Sequence, residues 1–119
     1  MRIYWLLASA VLSAVVFGLQ YYALETYLYW RYVWFDVPMH FLGGIAIASF
    51  LVGFWWRFRP VAYALSFGLI IVSWEVFEFL AGMPREANYA FDTALDLLIG
   101  SSAAIITYGI ARFTLWRSV

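Results

Sequence analysis

Four apolar stretches, each about twenty residues long, follow one another along the chain at roughly 3–22, 37–56, 61–80 and 93–111. A helix needs ~20 predominantly apolar residues to cross the ~30 Å hydrocarbon layer of a bilayer. Composition argues against a soluble domain: 66% of the 119 residues are hydrophobic and 23% aromatic, with a mean hydropathy of +0.85. Soluble domains are about half apolar, and a chain this small cannot bury so much apolar surface in one core. The expectation is an all-α integral membrane bundle of four transmembrane helices, a single membrane domain over residues 1–119.

Local signals agree with those limits. Pro60 suits the first turn of the third helix, where its missing N–H costs nothing. Gly, Pro and Asn in "AGMPREANYAFD", residues 81–92, mark a loop. Residues 21–35 are too polar for a span, and their Tyr and Trp suit a membrane interface. The first stretch is long, with small residues spread through it rather than gathered after it as a cleavage site, so it reads as a retained helix and not a signal peptide.

Charge placement sets a direction. The chain has no lysine, no cysteine and no basic run that would suggest nucleic acid. Arg2, Arg57, Arg59, Arg112 and Arg117 fall on one side of a four-span arrangement, Arg31 and Arg85 on the other. The positive-inside rule then predicts both termini and the "RFRP" turn in the cytoplasm. All seven acids and the single histidine, His40, fall in the opposite half.

Helical spacing groups these residues. Asp36 and His40 are one turn apart, as are Asp92 and Asp96, while Glu75 and Glu78 are neighbours at three residues. Asp36, His40, Gly44 and Ala48 form a stripe on the second span. Asp92, Asp96, Gly100 and Ala104 form a matching one on the fourth. Small residues let helices approach closely, which would turn the polar ends of both stripes into the bundle. The match also hints at a parallel repeat of two helix pairs.

Each residue has a plain reading too. Asp36 and Asp92 stand where N-caps are expected. Glu25 and Glu86 read as interfacial charges, Arg85 as a salt-bridge partner, and His40 as a core histidine bonded to a carboxylate. Together, however, ionisable groups inside spans are costly and mark function. Unpaired carboxylates in low dielectric must protonate or find a cation. The alternatives are a proton-sharing or arginine-paired cluster and a divalent-metal site. Oxygen ligands with one imidazole suit Mg, Mn, Ca, Fe or Zn, the carboxylate majority favouring the hard ions. The usual di-iron pattern, Glu-x-x-His on two helices, is not present.

"DVPMHF", "WEVFEF" and "DTALDLLIG", in that order, resemble the YjdF-like bacterial inner-membrane proteins and, more loosely, the VanZ-like family. The resemblance covers about residues 36–104. It implies a multi-span protein of the bacterial inner membrane and cell envelope, with Asp36, His40, Glu75, Glu78, Asp92, Asp96 and Gly100 at the matching positions. Asp96 stands where the VanZ-like pattern commonly has Asn, which favours the YjdF-like comparison. The resemblance supplies no reaction.

Two classes of function follow. In the first, a divalent metal on Asp36, His40, Glu75 and Asp96 acts on or binds a lipid or envelope precursor. Glu78 or Asp92 would then serve as general base and Arg85 as a contact to the lipid phosphate. In the second, the chain is a non-catalytic accessory subunit of a larger membrane complex or a homo-oligomer, its aromatic residues supplying the contacts. The residues leave open whether the chain is an enzyme.

Overall fold

A computed structural model describes residues 2–54, 59–82 and 89–116. Among them there are helices and turns and no strand. The elements are α1 (Arg2–Glu25), a single turn α2 (Leu28–Arg31), a 3-10 turn (Val33–Phe35), α3 (Asp36–Phe54), α4 (Pro60–Ala81) and α5 (Tyr89–Phe113). Helices α1, α4 and α5, and α3 with the turn before it, are long and apolar enough to cross a membrane. The protein is an all-α bundle of four such helices. Residues 55–58, 83–88 and 117–119, with Arg57, Arg85, Glu86 and Arg117 among them, lie outside the described residues.

Helix ends follow local chemistry. Pro60 opens α4 after Arg59, whose backbone is not helical. Gly82 closes it in the left-handed conformation, φ 70°, its N–H reaching the carbonyls of Glu78 and Phe79, as a C-terminal glycine should. α1 outlasts its apolar run by three residues and ends where Tyr27 turns left-handed at φ 59°. Backbone pairing extends a helix past the point where hydropathy falls, so the boundary of the span and that of the helix differ. Residues 28–35 are two short turns leading into α3, with aromatic rings stacked edge to face, such as Tyr29 on Phe35 at 5.2 Å. The sequence places N-caps at Asp36 and Asp92. Asp36 instead has helical dihedrals, and Asp92 lies one turn inside α5, which begins at Tyr89.

α3 is the central helix. It packs along α1 on one side and along α5 on the other, with α4 resting more lightly on α3 and α5. The small-residue stripes meet as expected: a Cβ on Gly44 would lie 3.0 Å from both the Gly100 carbonyl oxygen and Ala103 Cβ. Gly53 similarly lets α1 approach, where Leu6 fills the space a Cβ would need. Polar bonds tie the same contacts. Ser9 Oγ donates to the Ala46 carbonyl at 2.7 Å, and Tyr63 OH to the Ala104 carbonyl at 2.8 Å. The two helix pairs of the suggested repeat are not equivalent, because α1 packs extensively on α3 and α4 only lightly on α5.

The two ends of the bundle differ. One holds Arg2, Arg59 and Arg112, and most of the hydrophobic core: Leu51 and Val52 of α3, Tyr63 and Phe67 of α4, Ala111 of α5 and Trp116 beyond it. There Arg2 donates to the carbonyls of Gly53 and Phe54, satisfying the end of α3. Remaining apolar side chains face outward, as on α4 at Val61, Leu65, Leu69, Val72, Val76 and Leu80. That stripe has helical periodicity and presents hydrocarbon to hydrocarbon in a bilayer.

Candidate functional site

Three helices deliver one cluster to the other end. α3 supplies Asp36 and His40 from its first two turns, α4 supplies Glu75 and Glu78 near its close, and α5 supplies Asp92 and Asp96 near its start. At ~1.5 Å per residue, His40 lies ~6 Å, Glu75 ~9 Å and Asp96 ~10 Å along the axis from the nearer end of its helix. Asp36 and Asp92, both in first turns, also face the positive ends of their helix dipoles.

His40 is the junction. Its Nε2 lies 3.2 Å from Asp36 Oδ1 on its own helix and 3.2 Å from Asp96 Oδ2 on α5. Its Nδ1 faces Glu75 Oε1 at 3.9 Å, too far for a hydrogen bond. Nε2 is thus held between two carboxylates, and Nδ1 is turned toward Glu75. Glu75 is only 8% exposed, and no donor among the described residues reaches it. Its carboxylate is not fully enclosed, because the residue borders the cavity beside the cluster. Glu78, the next acid on the same wall, accepts a hydrogen bond from Trp74 Nε1 at 2.8 Å.

Potential ligand atoms of His40, Glu75, Glu78 and Asp96 lie within 4.8 Å of one another. So do those of Asp36, Asp92 and Asp96. Six of the seven candidate residues therefore gather, in two groups joined by Asp96. The grouping differs in detail from the set Asp36, His40, Glu75 and Asp96. Glu78 stands with His40 and Glu75, whereas Asp36 stands on the other side of the ring with Asp92. The seventh candidate, Arg85, lies outside the described residues.

Beside the cluster a cavity of about 710 Å³ opens between α1 and α4, floored by α3. His40, Glu75, Glu78 and Asp96 line one end, and its walls are mainly apolar, with Val16 and Phe17 on α1, Ile47 on α3 and Leu69 and Ile70 on α4. Gln20 and Tyr29 border it, the Tyr29 hydroxyl donating to Gln20 Oε1. Burial, and then the charges of Asp36, Glu78 and Asp96, push the Tyr29 phenol well above its ordinary range. These border residues escaped the sequence reading. The Trp74–Glu78 bond was legible as a one-turn spacing, but Tyr29 and Gln20 lie on separate elements with no pattern linking them.

Fold and site together define an integral membrane helical bundle with an acid–histidine cluster sunk beneath one face and an apolar groove beside it. Comparison of the chain with protein-family models, with curated proteins and with solved structures found no match.

Proposed function

We propose that this is a membrane protein of YjdF-like or VanZ-like kind, set in the bacterial inner membrane, that binds a divalent cation and uses it on the phosphate of a lipid or envelope precursor. The observation that carries the reading is the convergence of His40, Glu75, Glu78 and Asp96 from three helices, with ligand atoms within 4.8 Å of one another. Support comes from Glu75, which is largely buried as a residue, faces His40 Nδ1 and borders the cavity. A metal-bound histidine usually donates its second ring N–H to a carboxylate, and His40 presents that pattern, with Nε2 toward Asp36 and Asp96 and Nδ1 toward Glu75.

In this reading His40, Glu75, Glu78 and Asp96 hold the ion, and Asp36 orients the imidazole. Asp92, beside Asp36 and Asp96, would take the proton. Three carboxylates and one imidazole suit Mg, Mn, Ca, Fe or Zn. Such an ion supplies Lewis-acid polarisation of a phosphoryl oxygen and a more acidic bound water. The arginine-rich end faces the cytoplasm and the cluster lies beneath the outer face, by the positive-inside rule.

Elemental analysis of the purified protein tests the reading. Near-stoichiometric divalent metal is expected in the wild type and in Glu25→Gln, an exposed residue outside the clustered groups. Glu75→Gln and His40→Ala should lose it while keeping helical content. A wild-type protein without metal after dialysis against each candidate ion would exclude the centre.

A further inference from the structure

The groove beside the cluster has a shape and a polarity that name a ligand class. It spans Ser13 to Gln20 on α1 and Leu69 to Glu78 on α4, about 10–13 Å of helix length. Its volume of about 710 Å³ lies within the ~300–1,000 Å³ range of small-molecule sites. The walls are apolar along most of that length and polar at the end that holds His40, Glu75, Glu78 and Asp96. α1 and α4 do not pack together as a pair, so the groove opens sideways. In a bilayer that opening faces acyl chains and not water.

Coordination number supplies the second half. Hard divalent cations such as Mg and Ca take six or more oxygen ligands. The four clustered side chains do not complete that number when each gives one atom, and all four border the groove. Open positions on an ion held there would face the groove, whose walls are apolar along most of their length. An occupant that both supplies an oxygen to the ion and fills the groove must carry hydrocarbon to match the walls. A water-soluble anion meets the first condition only, and a neutral hydrocarbon only the second.

Resting on the reading of the cluster as a divalent-cation centre, we propose that the groove between α1 and α4 binds one hydrocarbon chain of a phosphate-bearing membrane amphiphile. The chain enters laterally from the bilayer, and its phosphate oxygens complete the coordination of the ion held by His40, Glu75, Glu78 and Asp96. Ser73 and Gln20 line the same space. Gly43 forms part of the floor, and a Cβ built on it meets nothing within 4 Å. A larger side chain there would begin in open space on the groove floor.

The test uses the full-length protein in nanodiscs of zwitterionic lipid, loaded with Mn²⁺. Dodecyl phosphate is added and its ³¹P resonance followed, since a phosphate on the paramagnetic ion broadens strongly. Saturable broadening is expected with dodecyl phosphate, and binding of inorganic phosphate about tenfold weaker or worse. Gly43→Leu and, on a different helix, Ser13→Phe should retain Mn²⁺ yet weaken dodecyl phosphate by about tenfold or more, the equivalent of a few buried methylenes. Equal binding of inorganic and dodecyl phosphate, or wild-type binding in both filled variants, would overturn the groove proposal and leave the centre standing. Wild-type protein that takes up no Mn²⁺ would remove the centre, and the proposal with it.

Discussion

His40 joins α3 to α5 by placing Nε2 3.2 Å from a carboxylate oxygen of Asp96, a residue far along the chain. The same nitrogen stands 3.2 Å from Asp36, so the imidazole edge is held between two acids and its other nitrogen is presented to Glu75. That arrangement separates residues expected to touch a cation from one that only aims a ligand.

Asp36→Asn is the informative substitution. It keeps the size of the side chain and an acceptor for His40 but removes the charge. Loss of a second partner behind a metal ligand typically costs ~10–100-fold in affinity. A chelator-competition titration should show a weakening of that order for Asp36→Asn and a larger one for Glu75→Gln. An unchanged constant for Asp36→Asn would mean that the imidazole needs no such support.

Metal uptake should also depend on pH in one direction. Carboxylates and imidazole must shed their protons before they can coordinate, so protons compete with the ion. Apparent affinity is expected to fall steadily as pH is lowered through the range where these groups protonate. Uptake at neutral pH in weak buffer should release protons. A pH-independent affinity would contradict coordination by His40 and its neighbouring acids.

Tyr29 offers a pH readout outside the spans. Burial and the adjacent acids raise its phenol above the ordinary value, so the folded protein keeps a proton that the unfolded chain releases above about pH 10. Its contribution to stability is therefore complete below that pH and declines as pH rises toward the folded value. In an ultraviolet titration, Tyr29→Phe should remove a strongly alkaline component of tyrosinate absorbance. Loss of an early component instead would place Tyr29 in contact with solvent.

Packing of α3 on α5 depends on Gly44. Even Gly44→Ala puts a methyl 3.0 Å from the Gly100 carbonyl and from Ala103, and both lie on a helix body that cannot swing aside. Overpacking of this sort costs ~1–3 kcal/mol. Thermal unfolding in detergent should show that loss for Gly44→Ala, whereas Gly43→Ala, with open space around it, should be neutral or slightly stabilising. Equal stability of the two variants would mean that α3 and α5 do not approach so closely.

Orientation can be read with single cysteines, because the chain has none of its own. Glu25→Cys, at the cluster end of α1, should react with an impermeant maleimide on intact cells. Thr114→Cys, just beyond α5, should react only after the membrane is opened. The reverse pattern would invert the assigned topology.

Much of this was legible in the sequence, for reasons particular residues make clear. Apolar runs of bilayer length located the four helices, since only a helix satisfies its own backbone in lipid. One-turn spacings paired Asp36 with His40 and placed Glu75 beside Glu78, and the stripe through Gly44 and Gly100 anticipated which faces meet. Which acid stands with which was not legible. The partition of Glu78 toward His40 and of Asp36 toward Asp92 depends on the rotation of α4 and α5 about their axes. The groove was hidden for a similar reason, because a gap between α1 and α4 is a relation between helices distant in the chain and leaves no periodic mark in either. The N-caps expected at Asp36 and Asp92 were displaced because helical pairing continues through Asp36 and begins before Asp92.

The hydrophobic core gathers mainly at the arginine end, around Val52, Tyr63, Phe67 and Trp116. Toward the opposite end, beyond the close approach of α3 to α5 at Gly44 and Gly100, the acids and His40 stand between α3, α4 and α5. These helices resemble tongs fastened at the base, and an ion gripped at the tips would clamp the free arms. Ligand that binds only the folded form adds RT ln(1 + [L]/Kd), ~2.7 kcal/mol at a hundredfold excess over Kd. Depleting the ion should therefore loosen the acid end first, while the arginine end keeps its packing.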